Sequence, residues 1–261
     1  MLELSLPYLA EETIEEFAGS FIKNRKAVIA ISGGIDSALV TVLISKSINK
    51  ENILTVHIPD SESNPQDEID SRKLCDELGV NFRVISLDPF LNEFKKMYSD
   101  RIILGNIKAR LRMVIIYSIA NSENGLVVGP SNKTELLTGY FTKYGDGAAD
   151  LYPIGDLYKT QVRLLAKKIG LPKEIIEKVP TAGLWRGQTD EDELGISYDL
   201  LDKILYGIEQ FMPDDQIAKA LKISPELVKS IRERVEKTRH KRVLLYIPKL
   251  GIRTVGVDFR E

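Results

Sequence analysis

Only one cysteine, Cys75, stands among the 261 residues of this chain. A lone thiol excludes an intrachain disulfide and cannot furnish a Cys₄ metal site. An excess of charge is missing too: acids and bases nearly cancel, with a formal net charge of −2. That balance gives no overall electrostatic reason to attract nucleic acid or an anionic membrane. No apolar run approaches the ~20 residues of a membrane span. Met1-Leu2-Glu3-Leu4-Ser5 carries no basic stretch ahead of an apolar core, which argues against a signal peptide. Repeats and low-complexity segments are absent as well. These absences lead to the expectation of a cytoplasmic protein without nucleic-acid or membrane partners. What is present is ample apolar material, 43% of residues, on a length that suits one large domain with a helical appendage.

Apolar runs and helical patterns alternate along the first two thirds of the chain. Ala27–Ile31, Ile53–Ile58, Phe82–Ile85 and Leu126–Val128 read as strands. Between and around them, helices are expected over Leu9–Phe21, Ser37–Ile44, Pro89–Tyr98, Gly105–Ser122, Asn132–Thr138 and Tyr158–Ile169. Asn64-Pro65 opens one further helix with a cap and a proline at the first position, and Gly79 ends it. Strand–helix alternation predicts an α/β fold: a doubly wound, Rossmann-like parallel sheet over roughly residues 25–180. Lys143–Gly155, rich in Gly and Asp, reads as a loop. Residues 181–195 hold three glycines and the acids Asp190-Glu191-Asp192-Glu193 around an isolated Trp185-Arg186. This stretch reads either as a mobile lid or as a solvated surface loop. Helices over 197–211, 214–221 and 224–240 complete a C-terminal helical region reaching about residue 242, all within one domain spanning 1–261.

The densest signal is Ala30-Ile31-Ser32-Gly33-Gly34-Ile35-Asp36-Ser37, lying between a strand and a helix. Two glycines let the backbone approach a ligand, and the helix N-terminus behind them favours phosphate. A Walker lysine is missing, and a carboxylate, Asp36, takes its place; a carboxylate beside phosphates needs a cation, usually Mg²⁺. After the fourth strand, Asn132 and Glu135 have capping-box spacing, which accounts for Glu135 without any chemistry. If that strand neighbours the first, Glu135 would also come near Asp36, giving a carboxylate pair suited to Mg²⁺.

Ser-Gly-Gly-x-Asp-Ser resembles the pyrophosphate loop of the ATP pyrophosphatases. Thr142-Lys143-Tyr144-Gly145-Asp146-Gly147 narrows the likeness to the NAD synthetases, which amidate deamido-NAD with ATP and ammonia. Gly105–Met113, Pro180-Thr181-Ala182, Asp192–Tyr198 and His240-Lys241-Arg242 extend it over roughly Lys23 to Arg242. The resemblance implies an ATP site lined by Ala30, Ile31, Ser32, Gly33, Gly34, Ile35, Asp36, Ser37, Lys159 and Thr181. Pro130 stands where a family threonine contacts ATP, so that contact is lost or passes to Ser131. Ala30 replaces a frequent family glycine. Further implied roles are Mg²⁺ held by Asp36 and Glu135, and deamido-NAD held by Arg110, Lys143, Asp150, His240 and Lys241. Asp146 would lie near ammonia, and Asp146, Asp36 and Ser32 would carry the catalysis. A homodimer is part of the same expectation.

Each assignment has a plainer competitor. Lys159 in a first helical turn is ordinarily solvated, and His240-Lys241-Arg242 could simply offset a helix pole. Arg110 is placed near the apolar face of its helix, where a charge needs a partner. The competing functional readings are another adenylating amidotransferase or tRNA-modifying enzyme built on the same loop, and a non-catalytic ATP-binding sensor with the same doubly wound fold.

Overall fold

In the computed structural model, which describes residues 2–185, 187–243 and 245–255, four short strands alternate with helices. Arg186 therefore lies outside the described residues. The order is α1 (Ala10–Ile22), β1 (Lys26–Ala30), α2 (Ile35–Ser47), β2 (Ile53–His57), α3 (Pro65–Leu78) and β3 (Asn81–Val84). Then follow α4 (Asp88–Lys95), α5 (Arg101–Ser122), β4 (Gly125–Val128), α6 (Lys133–Thr138), α7 (Lys159–Lys168) and α8 (Lys173–Ile176). The C-terminal part holds α9 (Asp190–Leu194), α10 (Tyr198–Glu209), α11 (Asp214–Leu221), α12 (Pro225–Lys237) and α13 (Arg239–Arg242).

All strands run parallel in the order β3-β2-β1-β4, so the chain reverses direction across the sheet between β1 and β4. Alternation along each strand sorts its side chains to two faces. Ala27 and Ile29 join a core with α1, α2, α7 and α8, whereas Val28 joins Leu54, Val56 and Val127 against α4 and α5. Every one of those β1 side chains is fully buried. Burial of a Leu or Ile side chain contributes roughly 1.5–3 kcal/mol, which sets the strand register firmly. A third apolar cluster joins Tyr198, Leu201, Leu205, Ile217, Val228 and Ile231 of the C-terminal helices to Tyr158 and Leu2.

The local signals act as expected at several ends. Asn64 accepts the Gln66 amide and Gly79 closes α3 in the left-handed conformation. The expected start of α5 at Gly105 is four residues late, because Asp100 accepts the Ile102 and Ile103 amides and begins the helix at Arg101. The helix expected over 224–240 breaks at Thr238 into α12 and α13. Part of 181–195 departs from the solvated-loop reading. Asp190–Leu194 is helical, and Gln188 and Asp190 are buried. Cys75 is fully buried, its Sγ 3.2 Å from Thr55 Oγ1, and burial raises the thiol out of its reactive range.

Candidate active site

The switch in strand order places the end of β4 beside the end of β1, and the loops after both strands converge. In the first loop, Ser37 Oγ accepts the Ser32 amide at 3.1 Å and donates to the Gly34 carbonyl at 3.1 Å. Gly33 takes φ +78° because α3 presses on it: a Cβ there would lie 2.8 Å from the Asp67 backbone. Lys178 fastens this arrangement, donating to Gly33 O at 3.2 Å and pairing with Asp67 at 2.5 Å and Asp70 at 3.1 Å. Ile31 and Ile35 bury their side chains in the core, so they can offer a ligand only backbone. Ser32 is exposed at the loop tip.

Behind the loop stands a buried ammonium. Lys159, at the start of α7, pairs with Asp36 Oδ2 and lies 3.8 Å from Glu135 Oε1. Its side chain is 3% exposed, so the solvated reading fails. The backbone is set by Thr134 Oγ1, which accepts the Lys159 amide, and by Asp202 Oδ2, which accepts the Thr160 amide. Burial alone would lower this ammonium, but the Asp36 and Glu135 carboxylates raise it above its ordinary value. Asn132 Nδ2 donates to Asp36 Oδ1 at 2.9 Å, while Asn132 and Glu135 also complete a capping box. Glu135 thus does both jobs: Oε2 accepts the Asn132 amide at 3.2 Å and Oε1 faces Lys159. Burial, reinforced by the Asp36 charge, pushes Glu135 up to about 8 against the pull of Lys159.

Two hard carboxylates with surplus negative charge fit a divalent cation that keeps water and phosphate oxygens as its other ligands. Glu135 must be ionised to take part. Its raised value favours the protonated folded state, a contribution present below the ordinary 4.5 and lost as pH rises through about 8. Mg²⁺ binding should accordingly release a proton below pH 8. The expected result is a larger Mg²⁺-induced rise in melting temperature at pH 8.5 than at 6.5, a difference that Glu135→Gln removes. A pH-independent Mg²⁺ response would show that Glu135 serves only as a cap.

A second wall comes from the loop after α6. Asp146 is open to solvent yet recessed among protein atoms, and that partial loss of water raises its carboxyl. Its Oδ1 accepts the Thr142 amide at 2.9 Å, and Arg112 and Lys241 attract its charge. Lys143 Nζ donates to the His240 carbonyl at 2.6 Å, and Arg110 Nε to the Lys143 carbonyl at 3.3 Å. Lys241 Nζ donates to Gly139 O and Phe141 O, both at 2.8 Å. Arg110, Lys143, His240 and Lys241 therefore form one edge. Asp150 does not join it: its Oδ2 accepts the Val127 amide at 2.7 Å, holding the loop to β4. Arg110 is exposed, contrary to its expected place near the apolar face. The buried cation of α5 is Lys108, 3% exposed and 2.9 Å from Asp60. Thr181 is exposed and accepts the Gly183 amide at 3.1 Å. Pro130 is half-buried, and Ser131 beside it is buried.

Asp190, one of four consecutive acids, is not distinguished from its neighbours in the sequence. Asp190 accepts hydrogen bonds from Tyr198 at 2.9 Å and Tyr140 at 3.1 Å, and it adds to the negative field around Lys159. Tyr198 in turn offers its ring face to the Lys159 ammonium, 5.4 Å from the centroid. The clue lay in two tyrosines, Tyr140 and Tyr198, whose buried hydroxyls need partners.

Comparison with known proteins identifies the relatives of this chain. The profile of the family described as NAD synthase matches residues 12–244. An NH(3)-dependent NAD(+) synthetase of Thermococcus kodakarensis is 45% identical over 247 residues, covering 93% of this chain and 94% of that protein. Among solved structures, an NMN synthetase from Francisella tularensis superposes with a TM-score of 0.81 at 32% identity, covering 95% of this chain and 100% of the other. An NH3-dependent NAD synthetase from Campylobacter jejuni gives a TM-score of 0.77 at 31% identity, covering 92% and 98%.

Proposed function

This chain belongs to the NAD synthase family, and from that premise we propose how its own residues carry out the reaction. It is a ligase that amidates deamido-NAD with ammonia at the expense of ATP. A carboxylate cannot lose oxide, so it must first acquire a leaving group. A nicotinate oxygen attacks the α-phosphorus of ATP, the bond to pyrophosphate breaks, and an acyl-adenylate forms. Ammonia then attacks the carbonyl carbon, loses a proton, and AMP departs as the amide forms.

The single observation that carries this reading is the Lys159 ammonium seated between Asp36 and Glu135 behind the glycine loop. The amides of Gly33 and Gly34 and the Ser32 and Ser37 hydroxyls receive the ATP phosphates. Asp36 and Glu135 would hold Mg²⁺, whose charge offsets that of the phosphates, while Lys159 keeps both carboxylates oriented. Arg110, Lys143, His240 and Lys241 present donors to the deamido-NAD phosphates and riboses. Orienting two substrates in line can lower the barrier by as much as ~7–11 kcal/mol.

Asp146, recessed and raised toward proton acceptance, takes the proton from the attacking nitrogen. Asp146→Asn should slow amide formation by roughly 10²-fold while pyrophosphate release from a pre-formed ternary complex stays within about threefold. Equal loss in both steps would assign Asp146 to loop structure, through its bond to the Thr142 amide.

The chain also acts as a homodimer in this reading. Ile102, Ile103 and Val114 leave apolar surface along α5 that a second copy would cover. Sedimentation equilibrium showing an active monomer would refute it. The reaction itself is tested with purified protein, ATP, Mg²⁺ and ammonia or glutamine, together with deamido-NAD or its mononucleotide counterpart. Equal amounts of amide, AMP and pyrophosphate from ammonia and deamido-NAD are expected. Preference for the mononucleotide would align this chain with the Francisella tularensis relative. ATP binding without turnover would favour a sensor.

A further inference from the structure

One lysine joins three segments that lie far apart in the chain. Lys108 sits on the inner stripe of α5, with its ammonium 2.9 Å from Asp60 Oδ2 and 2.5 Å from Glu62 Oε2. Both acids belong to the loop leaving β2, at the same end of the sheet as the phosphate loop. The third partner is the Leu184 carbonyl, 2.9 Å away in the stretch that precedes α9. Arg112 is the other cation facing this cluster, 3.8 Å from Asp60.

The α5 surface is shaped for that stretch. A Cβ at Gly105 would lie 3.2 Å from both Leu184 Cβ and the Trp185 ring, so the small residue lets the segment lie close. Arg101 covers the Trp185 ring at 5.4 Å. The far end of the stretch is anchored separately, where Asp190 accepts Tyr140 and Tyr198 beside Lys159. With one end tied to the Lys159 cluster, the other is held by packing on α5, by Gln188 Oε1 accepting the Leu184 amide at 2.8 Å, and by one charged donor from outside the segment, the Lys108 ammonium. A carbonyl that accepts from a buried ammonium makes a strong, charge-assisted contact.

We infer that Lys108 is a positioning residue that latches the segment around Leu184 and Trp185 over the adenylate, keeping water out until ammonia attacks. The inference rests on the adenylate chemistry proposed above. A static ion pair inside the core would need only Asp60; the bond to Leu184 gives the ammonium its further task. When the latch is released, water reaches the activated carbonyl, and ATP is spent without amide.

The test compares Lys108→Met with the double variant Lys108→Met/Asp60→Asn, which leaves no unpaired buried carboxylate at position 60. Pyrophosphate released per NAD formed should be one in the unaltered protein and rise at least about twofold in Lys108→Met. Chymotryptic cleavage after Trp185 should accelerate in parallel. The double variant should regain thermal stability yet keep both the excess pyrophosphate and the faster cleavage, since Leu184 still lacks its donor. Return of the ratio to one along with stability would reduce Lys108 to a structural ion pair and overturn the latch, as would an unchanged ratio in both variants. Should Lys108→Met not fold, the double variant alone decides. If the unaltered protein makes no adenylate at all, the reading of the site fails; cleavage at Trp185 then decides the latch, and unchanged rates overturn it.

Discussion

Lys159→Met should lower turnover by roughly 10²–10³-fold with the fold retained. The methionine fills nearly the same volume, so packing against the Tyr198 ring survives. What vanishes is the cation between Asp36 and Glu135, and with it the force that holds both carboxylates toward one point. Breaking a buried pair ordinarily costs about 3–5 kcal/mol because a charge is stranded. Here Glu135 limits the loss. Already pushed up to about 8 with Lys159 in place, it is for the most part protonated near neutral pH, so loss of Lys159 strands only the Asp36 charge, to which Asn132 Nδ2 still donates. The melting temperature should therefore fall by only a few degrees. Thermal melts and steady-state assays at saturating ATP check both halves. Turnover within about twofold of the unaltered protein, together with a large thermal loss, would make Lys159 a structural pair rather than part of the catalytic cluster.

The asymmetry between these two effects explains which parts of the site could be read from residues alone. The β1 loop declares itself because backbone chemistry is local: strand, two glycines and helix are contiguous, and Gly33 needs its positive φ in place. The Asn132–Glu135 spacing likewise signals a cap, and the cap exists. Whether Glu135 also faces Asp36 depended on β4 lying next to β1, a tertiary fact supported in the sequence only by strand–helix alternation. Buried charge is legible least. Lys159 looks like any first-turn lysine until Thr134, Asp202 and Tyr198 enclose it. Arg110 reads as lying near the apolar face of α5, and Lys108 passes unremarked, for a similar reason. The small residues Gly105 and Ala109 mark the buried stripe of α5, and position 108 falls beside them, whereas 110 points away. Asp190 hides among four consecutive acids; Glu193 shares the Tyr140 hydroxyl with it, and what separates Asp190 from Asp192 and Glu193 is its burial and its bond from Tyr198.

The phosphate loop should be more fragile than the cluster behind it, and Gly33→Ala is the sharpest probe. A methyl at this position meets two obstacles at once. Its φ of +78° is a conformation that costs an L-residue roughly 1–2 kcal/mol. The new Cβ would also lie 2.8 Å from Asp67 Cα and 2.8 Å from Asp67 O, backbone in the first turn of α3 that has no rotamer to change. Relief requires the loop to lift from α3. That movement strains the Lys178 clamp, which joins Gly33 O to the Asp67 and Asp70 carboxylates. Together these should cost roughly 2–4 kcal/mol of stability. The amides proposed to receive the ATP phosphates move with the loop, so KM for ATP should rise by about 10–100-fold. Gly34→Ala supplies the comparison one residue away. There φ is −89°, ordinary for alanine, and the added Cβ meets only the Ser32 hydroxyl at 3.3 Å, an exposed side chain that can turn away by giving up its contacts with Ser37 Oγ and the Gly34 amide. Gly34→Ala should stay within about 0.5 kcal/mol of the unaltered protein and shift KM only severalfold. Chemical denaturation and ATP titrations on both variants decide the matter. Equal and small effects would mean that the close approach of Gly33 to α3 does not shape the nucleotide site.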